Sequence, residues 1–274
     1  MTNSTPLNVD KSNKQCWRVT VDNPPINLMT PELLIGWHQL VGQMEVDPNL
    51  HVVVFDSANP DFFVNHLDSS RFADLPTTPG PTGLPMVLDF FIRLSLAPVV
   101  TIALIRGRAR GGGLEFALAC DMRFASTEKA VFGQSEVGNG NFPGAGGLER
   151  LPGLIGRGRA LEVVLGSNDF DATTADHYGI INRALPDDQV DDFVNDLARR
   201  LCLFEREALR TAKRQVNRHT LPMNGDMESS YLLYLQSLSW PGAADRRALA
   251  LKRGRNQPGD YELNLGYHLG LPPS

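Results

Sequence analysis

The feature that most constrains the fold is a seven-residue apolar run, residues 99–105, followed closely by three consecutive glycines. The run contains apolar and β-branched residues without polar alternation, which is typical of a strand buried on both faces. The glycines, residues 111–113, precede the apolar residues Leu114 and Phe116, so they lie at the predicted start of a helix. A buried strand, a tight turn and a helix therefore define the centre of the chain.

The start of this helix predicts a site that stabilises negative charge. Its first backbone N–H groups have no intrahelical partner, and glycine allows close approach to them. Such groups can stabilise an oxyanion that develops during a reaction. Glu115 lies in the first helical turn, where the helix dipole favours a carboxylate, and Glu136 follows a turn at residues 132–134. Two carboxylates beside free N–H groups indicate proton transfer next to a carbonyl group.

Hydrophobic spacing on both sides of this centre predicts an α/β fold. Residues 17–22 alternate as a strand, Thr30 can cap an amphipathic helix, and residues 52–55 form another buried strand. Strand, helix and strand in this order indicate a parallel sheet with right-handed crossovers. The chain is predicted to be mainly helical from residue 187 onward.

Length, charge and cysteine content limit the class of protein and its compartment. A chain of 274 residues fits one large α/β domain, and a formal net charge of -5 argues against a nucleic-acid surface. No apolar run approaches the ~18 residues of a membrane span. The three widely spaced cysteines indicate a reduced, cytoplasmic protein, and the polar residues 1–15 are predicted to be a disordered leader.

Four short motifs carry a family resemblance. They are Gly-Gly-Gly-x-Glu ending at Glu115, Cys-Asp ending at Asp121, Phe-Gly-Gln-x-Glu ending at Glu136, and Pro-Gly-Ala-Gly-Gly ending at Gly147. In these motifs and in the gaps between them, the chain resembles the crotonase superfamily, also called the enoyl-CoA hydratase/isomerase family, over roughly residues 15–260. The resemblance implies an α/β fold, the crotonase (ClpP/crotonase-like) spiral of repeated ββα units with a helical C-terminal region.

The resemblance also implies a domain layout and a substrate. Residues 16–186 would form the core with the active site, and residues 187–274 would cover this site and build a homotrimer or homohexamer. The substrate would be an acyl-CoA thioester, with coenzyme A as part of the substrate and no separate cofactor. The six histidines have no metal-ligand spacing, and neither a nucleotide-binding glycine motif nor a serine elbow occurs.

Site residues follow from the family pattern position by position. Glu115 and Glu136 match the two catalytic carboxylates, and the N–H groups of Leu67 and Gly112 match the oxyanion hole. By the same resemblance, Glu136 would deliver a proton to the α-carbon while Glu115 activates the water. Further positions predicted to contact the substrate are His66, Asp68, Gly111, Phe142 and Gly144.

Two parts of the chain depart from the family pattern. In the turn before Asp68, His66 stands where relatives usually have glycine, which would place an imidazole beside the thioester pocket. The C-terminal part reads KRGRNQP at residues 252–258 and continues into a longer tail than relatives have. The resemblance alone therefore leaves the substrate less defined than the fold.

The expected reaction is addition of water to a 2-enoyl-CoA thioester, or its removal from the hydrated product. An enoyl-CoA isomerase is an alternative, because such an enzyme needs one carboxylate to move a proton. A crotonase-like hydrolase or C–C lyase with a non-standard substrate is another, because of the altered turn at His66. A non-catalytic oligomeric binding protein is the last alternative, and the paired glutamates argue against it.

Overall fold

Two β-sheets form the framework of the chain in the computed structural model, which describes residues 6–272. The larger sheet contains, in spatial order, β1 (Leu7–Asn13), β2 (Cys16–Val21), β3 (Val52–Ser57), β5 (Val100–Ile105), β7 (Met122–Ser126) and β10 (Arg183–Leu185). The smaller sheet contains β4 (Phe62–Val64), β6 (Arg108–Arg110), β8 (Val131–Gly133) and β9 (Phe170–Asp171). Neighbouring strands are parallel, except that β1 runs antiparallel to β2 and β9 to β8.

Helices pack around both sheets and form the whole of the C-terminal part. Those of the core are α1 (Pro31–Val46), α2 (Met86–Leu96), α3 (Gly112–Ala119), α4 (Gly147–Gly166) and α5 (Ala172–Tyr178), with short 3-10 helices at Ser69–Asp74 and Val137–Asn139. Those of the C-terminal part are α6 (Val190–Cys202), α7 (Arg206–Thr220), α8 (Asn224–Ser237), α9 (Ala243–Lys252), α10 (Asp260–Leu263) and α11 (Leu265–Leu269).

One structural unit recurs along the chain. A strand of the larger sheet is followed by a strand of the smaller sheet and then by a helix, as in β3-β4-α2, β5-β6-α3 and β7-β8-α4. This arrangement confirms the predicted spiral of ββα units with a helical C-terminal region. Each unit delivers the chain from the smaller sheet to a loop or helix N-terminus, and these ends build the candidate site.

Local sequence explains the elements that hold the site. Every residue of β5 is buried, as its uninterrupted apolar run predicts. Thr30 caps α1, because its side chain accepts a hydrogen bond from the N–H of Leu33. In the core, the Trp37 ring stacks on Phe116 at a centroid distance of 4.5 Å and on Phe90 at 5.1 Å. This aromatic stack fixes α3, which carries Glu115, against α1 and α2.

The prediction of a disordered leader is wrong for residues 7–13, which form β1. The side chain of Leu7 is buried, and in the strand register Leu7 pairs with Val21 and Val9 with Val19. The other residues of β1 are polar and mostly exposed, as suits an edge strand with one face toward solvent. Residues 1–5 of the predicted leader lie outside the described residues.

Within residues 6–272, no helix is long and apolar enough to cross a membrane. In the same part of the chain, no group of three or more histidine, cysteine, aspartate or glutamate side chains is arranged to hold a metal ion.

Candidate active site

The turn before α3 requires glycine for reasons of space and backbone conformation. Gly111 has a φ of 51°, in the left-handed region that other residues rarely adopt. A Cβ atom at this position would lie 2.6 Å from Oε1 of Glu136. At Gly113, a Cβ atom would run into the backbone of Val64. The glycines thus let α3 begin close to β4 and close to the second carboxylate.

Two backbone N–H groups meet beside this turn. A Cβ atom built on Gly112 would lie 3.9 Å from the backbone nitrogen of Leu67, so the two peptide groups are close neighbours. Neither N–H donates a hydrogen bond to a protein group within residues 6–272. The turn that carries Leu67 is held by Met29, whose N–H donates to the carbonyl of His66 at 3.0 Å. Two free donors of this kind suit a developing oxyanion.

Glu115 is buried in the first turn of α3, with 3% of its surface exposed. Its Oε1 accepts hydrogen bonds from the N–H groups of Ala145 at 2.8 Å and Gly147 at 2.9 Å. Burial raises the pKa of this carboxyl group, and the two N–H donors oppose the rise without cancelling it. The glycine-rich loop before α4 therefore orients Glu115 and partly supports its ionised form.

Glu136 immediately precedes the short helix Val137–Asn139 and has a less supported carboxyl group. The residue as a whole is partly exposed, but its Oε2 is fully shielded and has no hydrogen-bond partner within residues 6–272. Burial raises the pKa of Glu136, and the nearby negative charge of Glu115 raises it further. The pKa values of both carboxyl groups are therefore shifted toward neutral pH.

A cavity of about 50 Å³ brings these groups together. It is lined by Met29, Leu67, Phe72, Leu75, Val87, Gly112, Glu115, Glu136, Gly144, Ala145, Tyr231 and Tyr234. The structure thus places five of the predicted site residues around one space, namely Leu67, Gly112, Glu115, Glu136 and Gly144.

The other four predicted residues, His66, Asp68, Gly111 and Phe142, do not line this cavity. The Phe142 ring lies instead against Trp240, at a centroid distance of 5.7 Å. Gly111 has no side chain to offer and serves as the turn that makes room for Glu136. The geometry therefore gives no support to substrate contact by Phe142 or Gly111.

His66 and Asp68 are also engaged with protein groups. The His66 ring is buried against the C-terminal part of the chain, where its Nε2 lies 2.9 Å from Glu262. The Asp68 carboxylate accepts hydrogen bonds from the N–H and hydroxyl of Ser70, and so caps the short helix Ser69–Asp74. The predicted contact of these side chains with substrate is not supported, because both are turned into the protein.

Sequence reasoning missed the two tyrosines that close the cavity. Tyr231 and Tyr234 lie three residues apart on α8, so they share one helix face, with ring centroids 6.2 Å apart. Burial raises the pKa of the Tyr234 phenol, and the charges of Glu136 and Glu115 add to the rise. Their spacing was a usable signal for a buried helix face, but nothing in it indicates which cavity that face covers.

A larger cavity, of about 450 Å³, lies between α2 and α7. Its lining includes the cationic residues Arg210, Lys213, Arg214 and Arg218, and it contains no aspartate or glutamate. The smaller cavity is the better candidate for catalysis, because it alone of the two joins acid groups to free backbone donors.

The spiral of ββα units and the paired carboxyl groups beside free N–H groups define a crotonase-fold protein with a candidate active site. The sequence model of the enoyl-CoA hydratase/isomerase family matches residues 11–231. The chain belongs to this family.

Individual relatives agree with this assignment. A short-chain-enoyl-CoA hydratase from Clostridium acetobutylicum is 30% identical over 201 residues, which cover 73% of this chain and 77% of that protein. The crystal structure of a candidate enoyl-CoA hydratase from Streptomyces avermitilis is 40% identical with a TM-score of 0.93, and the match covers 100% of both chains. DspI from Pseudomonas aeruginosa is 27% identical with a TM-score of 0.70, over 92% of this chain and 97% of that one.

Proposed function

We propose that the protein adds water to the double bond of a 2-enoyl-CoA thioester, or removes it from the 3-hydroxyacyl-CoA product. The observation that carries this proposal is the single cavity lined by two carboxyl groups and two unpaired N–H groups. Membership of the enoyl-CoA hydratase/isomerase family supports a thioester substrate. Coenzyme A enters as part of that substrate, and the proposed reaction needs no separate cofactor.

The N–H groups of Leu67 and Gly112 would bind the thioester oxygen. When water attacks the β-carbon, negative charge moves onto this oxygen and an enolate forms. Fixed donors in a cavity with little water stabilise such charge without reorganising, and one donor is typically worth about 10²–10³ in rate. The two donors lower the barrier because they interact more strongly with the enolate than with the neutral thioester.

The two carboxyl groups divide the proton transfers. Because both pKa values are raised and the groups repel each other when charged, the pair would hold one proton near neutral pH. We assign this proton to Glu136, since Glu115 accepts two backbone N–H bonds that favour its ionised form. Glu115 then takes a proton from water while the water oxygen bonds to the β-carbon. Glu136 gives its own proton to the α-carbon.

Isomerisation of the double bond fits the site less well, because it requires one carboxylate to carry a proton between two carbons. Here two carboxyl groups with different partners face the same cavity. Incubation in ¹⁸O-labelled water separates the reactions. Hydration places the label in the 3-hydroxyl group, whereas isomerisation leaves the product unlabelled.

The size of the cavity favours a short acyl group. Its volume of about 50 Å³ accommodates roughly four water-sized atoms, since a single one needs about 10–15 Å³. Aromatic side chains from Phe72, Tyr231 and Tyr234 form one wall of this small space. We therefore expect four-carbon crotonyl-CoA to be a better substrate than enoyl-CoA thioesters of eight or more carbons.

A panel of 2-enoyl-CoA thioesters of increasing chain length tests the proposal. The measurement is the loss of absorbance of the conjugated thioester as water adds. We expect the highest kcat/KM with crotonyl-CoA and a decline with chain length. No turnover of any member of the panel would overturn the proposed function, whereas a preference for long chains would overturn only the argument from cavity size.

We also propose that the chain assembles as a homotrimer or homohexamer. Large apolar side chains remain exposed on α4 and α8, including Leu161, Leu165, Leu232 and Leu233. Exposed apolar surface of this kind marks a contact between proteins. Light scattering during size-exclusion chromatography would give a mass of three or six chains, and a mass of one chain would contradict the proposal.

A cytoplasmic location is proposed on the basis of the cysteines. All three, Cys16, Cys120 and Cys202, are free thiols in the structure. Unpaired cysteines are typical of reducing compartments. Fractionation of cells that produce the protein tests this location.

A further inference from the structure

The two parts of the sequence that depart from the family pattern lie against each other. Nε2 of His66 lies 2.9 Å from Oε1 and 3.1 Å from Oε2 of Glu262, although 196 positions separate the residues. The His66 residue is 3% exposed and Glu262 is 0% exposed. A buried contact between a histidine and a carboxylate thus joins the oxyanion turn to α10.

The Glu262 carboxylate is fully supplied with donors. Besides His66, it accepts a hydrogen bond from Nδ2 of Asn65 at 3.0 Å and one from the N–H of Asn256 at 2.8 Å. Burial opposes ionisation most strongly, but the His66 ring and these donors together hold the pKa of Glu262 at about 2. The carboxylate therefore remains charged across the physiological pH range and continues to accept hydrogen bonds from the turn.

The His66 ring is held in place whether or not its second nitrogen, Nδ1, carries a proton. Nδ1 lies 3.4 Å from Nη2 of Arg255, which can only donate, and 3.1 Å from the carbonyl oxygen of Leu67, which can only accept. A bare Nδ1 accepts from Arg255, and a protonated Nδ1 donates to Leu67. In both forms Nε2 carries a proton and donates to Glu262.

This contact acts next to the peptide that supplies the oxyanion donor. The Leu67 N–H belongs to the peptide whose carbonyl is that of His66, and Met29 holds this carbonyl from the other side. On the far side of Leu67, Nδ2 of Asn256 donates to the Asp68 carboxylate at 2.8 Å. The C-terminal segment, defined here as residues 255–262, therefore contacts the residues on both sides of Leu67.

The backbone at position 66 does not require a glycine. Within residues 6–272, the non-glycine residues with positive φ are Asn27, Ser167 and Asn256, so His66 adopts an ordinary conformation. A side chain at this position is therefore compatible with the turn and gives it a point of attachment that glycine would lack.

We propose that His66 and Glu262 are positioning residues, through which the C-terminal segment fixes the Leu67 N–H in the oxyanion hole. Neither side chain lines the cavity, and their effect on the reaction passes through the orientation of one peptide group. The activity test of this role rests on the proposed function, but the order of the turn can be measured without any substrate.

The test compares His66→Ala, His66→Gln and Glu262→Gln with a matched control, Asp260→Asn. Glutamine at position 66 can still donate from the position of the histidine Nε2, whereas alanine cannot. The control removes the second contact between a histidine and a carboxylate in the C-terminal part, that of His268 with Asp260 at 2.8 Å, which does not touch the oxyanion turn. All variants are made in the full chain and checked for folding by circular dichroism and thermal denaturation.

We expect His66→Ala and Glu262→Gln to lower kcat for crotonyl-CoA by about 10- to 10²-fold, since a misplaced catalytic group costs this much. KM should change less than ~3-fold and the pH profile should keep its position, because the two catalytic carboxyl groups are untouched. His66→Gln should recover most of kcat, and Asp260→Asn should match the wild type. Wild-type kcat in folded His66→Ala would overturn the proposal.

Hydrogen exchange provides the measurement that does not depend on turnover. In His66→Ala, the backbone amides of Asn65 and Asp68, which donate hydrogen bonds at this turn, should exchange at least ~10-fold faster than in the wild type, while those of α3 remain protected. Unchanged exchange in this turn would refute the positioning role even if the wild type proved inactive on every enoyl-CoA. Faster exchange in an inactive wild type would leave this role supported and overturn the proposed function alone.

Discussion

Glu136 and Glu262 both have carboxyl oxygens shielded from solvent, yet their environments shift the pKa in opposite directions. Oε2 of Glu136 has no partner within the described chain, and burial together with the charge of Glu115 raises its pKa. Glu262 is supplied by His66, Asn65 and a backbone N–H, and its pKa is lowered to about 2. Burial opposes the charge in both places, so the neighbouring groups decide the outcome: the charge of Glu115 at Glu136, and the His66 ring with the other donors at Glu262.

The comparison separates a reactive carboxyl group from a structural one. A carboxylate with every acceptor site occupied is stable and chemically inert, whereas one with an unoccupied buried oxygen can exchange a proton at neutral pH. The same residue type thus serves the reaction at position 136 and the architecture at position 262. Glu136→Gln and Glu262→Ala each remove one side of this contrast, and Asp260→Asn is a control that touches neither.

The largest effect is expected from removing the reactive side. Glu136→Gln keeps the shape of the side chain but cannot give a proton to the α-carbon, so kcat for crotonyl-CoA should fall by about 10²–10⁴-fold. Stopped-flow or steady-state measurement of the absorbance of the conjugated thioester provides kcat. Full hydratase activity in this variant would falsify the assigned proton transfer, and a similar loss in Glu115→Gln would support the division of roles between the two carboxyl groups.

Removing the structural side should act on folding. Glu262→Ala leaves His66, Asn65 and a backbone N–H without their acceptor, and an unsatisfied buried donor typically costs about 1–3 kcal/mol of unfolding free energy. Urea denaturation at pH 7 measures it. Because the lowered pKa makes Glu262 stabilising above about pH 4 and less so as pH falls toward 2, the difference from wild type should shrink in acid.

The raised pKa of Glu136 predicts a smaller effect of opposite sign. The folded protein holds this proton more tightly than the unfolded chain, so the contribution to stability is present at low pH and is lost as pH rises through the folded-state pKa. Glu136→Gln removes that loss. At pH 8 its free energy of unfolding should therefore exceed that of the wild type, by a value on the order of 1 kcal/mol. Equal free energies of unfolding at pH 8 would show that burial does not disfavour the ionised carboxyl group.

The smallest effect is expected at the exposed pair of His268 and Asp260, where 77% of the Asp260 side chain is accessible. Asp260→Asn should change the unfolding free energy far less than Glu262→Ala does, because solvent screens an exposed carboxylate. A loss comparable to that of Glu262→Ala would mean that the whole C-terminal part, and not the buried contact alone, supports the turn.

Much of the fold was readable from the sequence, because local patterns and short motifs determine it. The buried run of β5, the Thr30 cap and the glycines before α3 each have one main physical interpretation. The family pattern then located Glu115 and Glu136, and the structure places both beside one cavity.

What could not be read depends on contacts between distant parts of the chain. β1 has two inward apolar residues among polar ones, and only its pairing with β2 distinguishes it from a polar leader. Tyr231 and Tyr234 show a helical spacing, but the cavity they close is formed by other elements. Glu262 carries no local signal at all, because its partners Asn65 and His66 precede it by 197 and 196 positions.

The separation between His66 and Glu262 also sets an order of events during translation. At about 5–20 residues per second, a ribosome needs roughly 10–40 s to add the 196 positions between them. In that interval the nascent chain can form its sheets and place both reactive glutamates. The turn at Leu67 still lacks its contact with Glu262 at that stage. The Leu67 N–H would thus be fixed in place only after residue 262 has been synthesised.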